Sequence, residues 1–319
     1  MVSLVFDVGG TKTRAGLFDS QNSSLIRSAA IRSPNHLLFP ECSFEELSAR
    51  LLEQVYRLGA ELCGRQRPSS IQVGFAGPVD DRGNVLAAPT LWGSRLAKPY
   101  PLADNLARHW PSAHVGVVND VTAAGYRYLR SVEEDFCVVT VSSGIGNKVF
   151  VNGRPLLGTR WQGGELGHLM VDSSPDAPVC ECGGRGHLGA LASGRAAVRI
   201  ATAFAPGDVN AQLTSEGLAV AFRQGQPGAL QTIRHVALPL GWALASVHAS
   251  IGTERFVLIG GFALALGGAY RSLVAAAAAD RCWGNPAAWD GRVELGFDDD
   301  LSGLIGAGML ASFEKRYAA

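Results

Sequence analysis

Charge of either sign is scarce in this chain: only 18% of its 319 residues are Asp, Glu, Lys or Arg, and 28 basic residues balance 28 acidic ones. A clustered basic face of the kind that follows a phosphate backbone is not expected, so no nucleic-acid partner is expected. Long apolar runs are scarce too. The longest, around Leu273 to Ala279, falls short of the about 20 residues that cross a bilayer, and no membrane partner is expected. The opening Met-Val-Ser-Leu-Val-Phe-Asp has no basic stretch and carries an acid at position 7, unlike a signal peptide. Six scattered cysteines do not suggest a disulfide framework, and only Cys180 and Cys182 are close in sequence. The expectation is a soluble, cytoplasmic protein. Its 47% hydrophobic residues and its length suit two domains of about 120–200 residues each.

Short apolar runs end at glycines throughout. Ser3 to Val8 reads as a buried strand stopped by Gly9-Gly10, and Ala15 to Phe18 as its return. A helix is expected from about Phe44 to Arg65, with Leu47, Leu51, Val55 and Leu58 at helical spacing. Ser43 and Glu46 have the spacing of a capping box. Ile71 to Phe75 and Val115 to Val118 read as strands, the second ending at Asn119-Asp120, with a helix starting near Thr122. The strand–glycine–strand device recurs with Cys137 to Ser142, Gly144, Gly146 and Lys148 to Val151. A helical region from about Pro227 to Ile251, a strand Phe256 to Gly260, a turn at Gly261 and a helix from about Leu301 follow. Strands alternating with helices indicate an α/β fold.

Four motifs carry chemistry. Asp7-Val-Gly9-Gly10-Thr11-Lys12-Thr13-Arg14 offers glycine backbone amides and two hydroxyls to a phosphate. Asp7 can hold Mg²⁺ through water. Ser142-Ser143-Gly144-Ile145-Gly146 is a second such turn. Either alone could be a plain hairpin. Asn119-Asp120 ends a strand, where ligands gather in α/β sheets. A carboxylate there can accept a hydroxyl proton, although Asn or Asp at such a junction is more often a helix cap. Glu165 and His168 lie three apart, share a face on a helical turn, and can hydrogen-bond hydroxyls; a lone histidine is more often simply buried. His168, Cys180, Cys182 and His187 form a ligand set suited to zinc, with two ordinary cysteines in a glycine-rich loop as the alternative.

Together these stretches make the chain resemble the ROK family (repressors, open reading frames and kinases) of the actin-like, Hsp70-like and hexokinase-like ATPases. Further matching segments are Gly77-Pro-Val-Asp80, Gly164-Glu-Leu-Gly-His168, Ala192-Ser-Gly194, Ile259-Gly260-Gly261 and Leu304-Ile-Gly-Ala307. The resemblance implies two actin-like, ribonuclease H-like α/β lobes around a cleft. The expected lobes are 1–119 and 120–300, with the knuckle at 168–187 and a helix over about 301–319 returning to the first. It implies ATP- and Mg²⁺-dependent transfer to a primary hydroxyl of a hexose or hexose-like acceptor. Asp120 would be the base. Asn119, Glu165, His168 and Gly77 would bind acceptor. Asp7, Gly9, Gly10, Thr11, Lys12, Thr13, Ser143, Gly144, Gly146, Gly260 and Gly261 would serve the nucleotide, beside Ser193-Gly194-Arg195. Structural zinc and a homodimer are expected from the same resemblance. Because the chain starts at the phosphate-loop strand, no helix-turn-helix domain is expected.

Two departures bear on the acceptor. The family knuckle usually reads Cys-x-Cys-Gly-x-x-Gly-Cys-hydrophobic-Glu. Here His187 stands for the third Cys and Gly189 for the Glu. Loss of that carboxylate removes a hydroxyl partner and opens space, which changes selectivity where hydroxyls are read by hydrogen bonds. A modified acceptor is therefore expected, such as an amino sugar or a C7-cyclitol. The rival readings are a non-catalytic sugar sensor and a kinase that also uses polyphosphate, for which Arg154, Arg160 and Arg185 would supply charge.

Overall fold

The computed structural model describes residues 2–204 and 213–317, with side chains as far as Phe313. The strands are β1 (Val2–Val8), β2 (Lys12–Asp19), β3 (Ser24–Arg32), β4 (Ser70–Phe75), β5 (His114–Asn119), β6 (Phe136–Val141), β7 (Ile145–Val151), β8 (Arg154–Pro155), β9 (Phe256–Ile259) and β10 (Val293–Leu295). The helices are α1 (Phe44–Cys63), α2 (Pro89–Trp92), α3 (Leu102–His109), α4 (Asp120–Tyr126), α5 (Leu188–Ala192), α6 (Gly194–Phe204), α7 (Ser215–Arg223), α8 (Pro227–Ile251), α9 (Gly261–Arg281), α10 (Trp289–Arg292) and α11 (Ser302–Tyr317). Two 3₁₀ segments, Leu166–His168 and Pro286–Ala288, lie between them.

The chain divides into two compact units. The first runs to Leu129 and adds Leu157–Gly163 and the chain from Leu301 on; the second is Arg130–Leu156 with Gly164–Asp300. The division falls after Leu129 rather than after Asn119, because α4 packs against β4 and α11.

The first unit holds a five-stranded sheet in the order β3-β2-β1-β4-β5, with β1 antiparallel to β2 and parallel to β4. Leu4, Val5 and Phe6 of β1 are wholly buried, as a strand covered on both faces requires. One face is covered by α1, where Leu47, Leu51, Val55 and Leu58 are buried at the expected spacing. The Ser43–Glu46 capping box forms, and Gly64 ends the helix two residues before the sequence suggests. On the other face α11 packs Leu304 and Ala307 against Val5, Phe18 and Ala123. The helix expected over 301–319 is observed as Ser302–Tyr317; 318 and 319 lie outside the described residues.

The second unit repeats the device. Its sheet has the order β10-β9-β6-β7-β8, with β6 antiparallel to β7 and parallel to β9. The long helix α9 packs on it, and α8 packs on α9. Where the sequence suggests only a turn, Gly261 begins α9. By length and composition α9 is apolar enough to cross a membrane, with mean hydropathy 1.4. It is broken at Gly267 (φ 72°), and Phe262, Ala263, Leu266, Tyr270 and Val274 are buried in the core. All six cysteines are free thiols.

Candidate active site

In the first unit the β1–β2 turn is held from behind. The Ser33 hydroxyl donates to the Gly9 carbonyl at 2.6 Å, the Asn35 amide to the Gly10 carbonyl at 2.8 Å, and the Ser33 backbone N–H to the Thr11 carbonyl at 3.0 Å. In a planar trans peptide the N–H points opposite to the C=O. The amides of Gly10, Thr11 and Lys12 therefore point away from residues 33–35, as an anion-binding turn needs. Thr11 and Lys12 are exposed. Thr13 is not: it is wholly buried, and its hydroxyl shares a 2.8 Å hydrogen bond with Ser33. Its observed place is behind the turn. Asp7 is paired with Arg14 at 3.2 Å. Gly303 packs so close that a Cβ there would lie 2.6 Å from the Asp7 carboxyl carbon.

Asp120 opens α4, and Asn119 caps it. The Asn119 side-chain oxygen accepts from the N–H groups of Val121 and Thr122 at 3.1 and 3.2 Å. Its amide nitrogen donates to the Gly77 carbonyl at 3.1 Å and to an Asp120 carboxylate oxygen at 2.8 Å. An amide has two donors and two acceptor lone pairs, and all four are engaged. The capping role and the orientation of Asp120 are thus the same geometry. The Val121 N–H also donates to Asp120 at 2.8 Å, and negative charge is favoured at a helix N-terminus. Gly77 meets the Ala87 carbonyl so closely that no side chain fits. Asp80 organises its own turn, accepting from the Arg82 and Asn84 N–H groups. A cavity of about 700 Å³ beside this junction is lined by Gln72, Val79, Arg82, Asn119, Thr122 and Trp161.

In the second unit the β6–β7 turn carries Ser143 and Gly144, and Gly146 lies in β7 opposite Thr140. Arg195, at the start of α6, donates to the Ser143 carbonyl at 2.8 Å. Its guanidinium also pairs with Glu181, which lies between Cys180 and Cys182. Gly260 lies beside the strand that feeds this turn: at φ 92°, a Cβ there would lie 2.7 Å from the Thr140 hydroxyl and the Val141 carbonyl.

Beyond that turn, residues 164–167 run along the edge of β7. The Leu166 N–H donates to the Asn147 side chain at 2.9 Å. A Cβ on Gly164 (φ 87°) would meet the Asn147 carbonyl at 2.5 Å, and one on Gly167 would collide with the Ile145 carbonyl. Glu165 is therefore presented between two glycines pressed against a strand edge. The His168 N–H donates to the Glu165 carbonyl at 2.9 Å, closing a 3₁₀ turn in which residues three apart eclipse. Both side chains are exposed.

The ligand atoms of His168, Cys180, Cys182 and His187 lie within 4.8 Å of one another. His168 Nδ1 is 3.8 Å from Cys180 Sγ, and His187 Nδ1 is 3.2 Å from Cys182 Sγ. Tetrahedral zinc with bonds of about 2.0–2.3 Å separates its ligands by roughly 3.3–3.8 Å; the donor types suit that ion and the two His–Cys pairs lie near this spacing, while the set as a whole spreads to 4.8 Å. The loop is pinned by Cys180 N–H to the Gly184 carbonyl (2.7 Å) and Gly186 N–H to the Pro178 carbonyl (2.9 Å). A Cβ on Gly189 would lie 3.1 Å from the Gly167 carbonyl, so this bare position adjoins the Glu165–His168 turn.

The sequence reading missed Ser33 and Asn35, which stand far from the motif they support. It also missed Asn147 and Lys148, a polar pair inside a strand, which is the signal that marks them.

A model of the ROK family matches residues 4–314. The chain is similar to a C(7)-cyclitol 7-kinase of Streptomyces hygroscopicus subsp. jinggangensis: 40% identical over 329 aligned residues, covering 97% of this chain and 93% of the relative. A ROK hexokinase structure from Thermus thermophilus matches with a TM-score of 0.75 and 30% identity, covering 99% of this chain and 100% of that one. A ROK family glucokinase from Streptomyces griseus, in complex with glucose and AMPPNP, matches in fold with a TM-score of 0.77 at 24% identity, covering 97% and 99%.

Proposed function

The chain belongs to the ROK family and is an ATP-dependent sugar phosphotransferase, and from that premise we propose that its acceptor is a C7-cyclitol phosphorylated on its primary hydroxyl. The observation that carries this reading is the 40% identity, over 97% of the chain, to a C(7)-cyclitol 7-kinase. Gly189 agrees with it. A bare position beside the Glu165–His168 turn offers no carboxylate to the hydroxyls of an ordinary hexose.

Asp120 is the general base of this reading. It accepts the hydroxyl proton as the acceptor oxygen attacks the γ-phosphorus, and Asn119 holds it in place. Glu165 and His168 hydrogen-bond other acceptor hydroxyls. The amides of Gly10, Thr11 and Lys12 and the hydroxyl of Thr11 serve nucleotide phosphates in the first unit. Ser143 and Gly144 of the β6–β7 turn and Gly146 at the start of β7, with Gly260 and Gly261, serve the nucleotide in the second. Asp7 would hold Mg²⁺ through water, which neutralises phosphate charge. Zinc fits His168, Cys180, Cys182 and His187, and would stiffen the loop behind the turn. With Nδ1 turned to Cys180, His168 keeps Nε2 for a hydroxyl. The same reading carries a cytoplasmic homodimer, which sedimentation of the purified protein checks.

The test is a coupled transfer assay with Mg·ATP over glucose, glucosamine, mannose, N-acetylmannosamine, kanosamine and valiolone-type cyclitols. ³¹P NMR locates the new phosphate. Phosphate on the C7 hydroxyl of a cyclitol is the expected product. Efficient transfer to N-acetylmannosamine or glucose, with none to cyclitols, would remove the proposal.

A further inference from the structure

β7 reads Ile-Gly-Asn-Lys-Val-Phe-Val, and its polar pair is buried: Asn147 and Lys148 are each 3% exposed. Consecutive strand residues face opposite sides. Ile145, Val149 and Val151 join the core of the second unit. Asn147 has their parity, and its side-chain amide reaches Cys137 Sγ at 3.7 Å. Lys148 lies on the other face. An amino group and a carboxamide cost free energy when buried unless they are hydrogen-bonded, so their bonds say what they are for. Both lead to the same three residues. The Asn147 side chain accepts from the Leu166 N–H at 2.9 Å, and the Lys148 amino group donates to the Gly164 carbonyl at 3.4 Å. Glu165 lies between them. The absence of a side chain on Gly164 is what admits Lys148, since a Cβ there would lie 2.9 Å from its amino nitrogen.

We propose that Asn147 and Lys148 form a clamp, applied from the two faces of β7, that fixes the backbone on either side of Glu165, and that Lys148 is thereby a positioning residue for the acceptor. The inference rests on Glu165 being an acceptor ligand. It extends that reading by joining the acceptor turn to the strand whose start is the second glycine turn, so that one strand positions both.

Lys148→Met tests it. The substitution keeps the apolar stem and removes the amino group. The Gly164 carbonyl loses a donor, so a modest fall in melting temperature is expected whatever the role of the amino group, and the split between acceptor and ATP KM is the discriminating readout. The expected result is an acceptor KM raised about tenfold or more with ATP KM changed less than about twofold. Lys148→Arg is expected to restore little, because the wider guanidinium does not fit against Gly164. Acceptor and ATP KM rising together, or no change in acceptor KM, would overturn the proposal. Hydrogen exchange of the same proteins without substrate supplies a readout independent of turnover. Faster exchange confined to residues 164–168 is expected in Lys148→Met and Asn147→Ala; unchanged exchange there sinks the clamp. If the parent protein phosphorylates no sugar or cyclitol, the acceptor reading fails, and the exchange data still decide whether the clamp exists.

Discussion

Asp120 in the first unit and Glu165 in the second are the two carboxylates of the proposed function, and they reach their places by opposite routes. Asp120 is held by hydrogen bonds from its neighbours in sequence. Asn119 caps α4, turns its amide to the Asp120 carboxylate, and anchors once at a distance, on Gly77. Glu165 has no comparable local support. Its backbone is positioned by tertiary docking on β7, through two bare glycines and two buried polar side chains 17 or more residues away. The first arrangement tolerates change elsewhere in the fold. The second makes acceptor binding depend on the exact edge of one strand.

The largest expected effect falls on the locally built carboxylate. Asp120→Asn removes the proposed base but keeps a side chain of the same size. A loss of about 10²–10⁴-fold in kcat is expected, with acceptor binding by calorimetry little changed. Near-parental kcat would remove Asp120 from its role and the comparison with it. Gly167→Ala attacks the tertiary route. The added methyl meets a backbone carbonyl that cannot rotate away, so a stability loss of about 1–3 kcal/mol is expected in urea unfolding, with acceptor KM rising and ATP KM spared. Asn147→Ala leaves the Leu166 N–H without its partner and should cost about 1–2 kcal/mol by the same measurement. With zinc at the proposed knuckle, a chelator should lower the melting temperature and weaken acceptor binding more than nucleotide binding, because His168 would serve both metal and acceptor; equal loss of both would separate the knuckle from the acceptor turn. Glu181→Gln should matter least. Its pairing with Arg195 is largely exposed, and such pairs contribute about 1 kcal/mol or less.

The same contrast explains what the sequence could disclose. Asn119-Asp120 at a strand end, the capping box at Ser43 and both glycine turns are local patterns, and they are legible as such. The ligand set His168, Cys180, Cys182 and His187 is legible from residue type, and the fold brings all four together. Thr13 illustrates a limit: sequence places it in the motif, but only strand parity, which buries it beside Ser33, shows that it faces backwards. β3 escaped notice because it is an edge strand with mostly exposed, mixed residues. The start of α9 was hidden because Gly260-Gly261 signals a turn equally well. The docking of 164–167 on β7 depends on register between segments, and no local pattern encodes it.

The proposed activity is ATP-dependent phosphorylation of a cyclitol in preference to a common hexose. Its most direct test is kcat/KM for a valiolone-type C7-cyclitol against glucose, measured side by side on the purified protein with Mg·ATP. A ratio of at least about tenfold in favour of the cyclitol is the predicted result. Glucose turned over as well as the cyclitol, or better, would contradict the account.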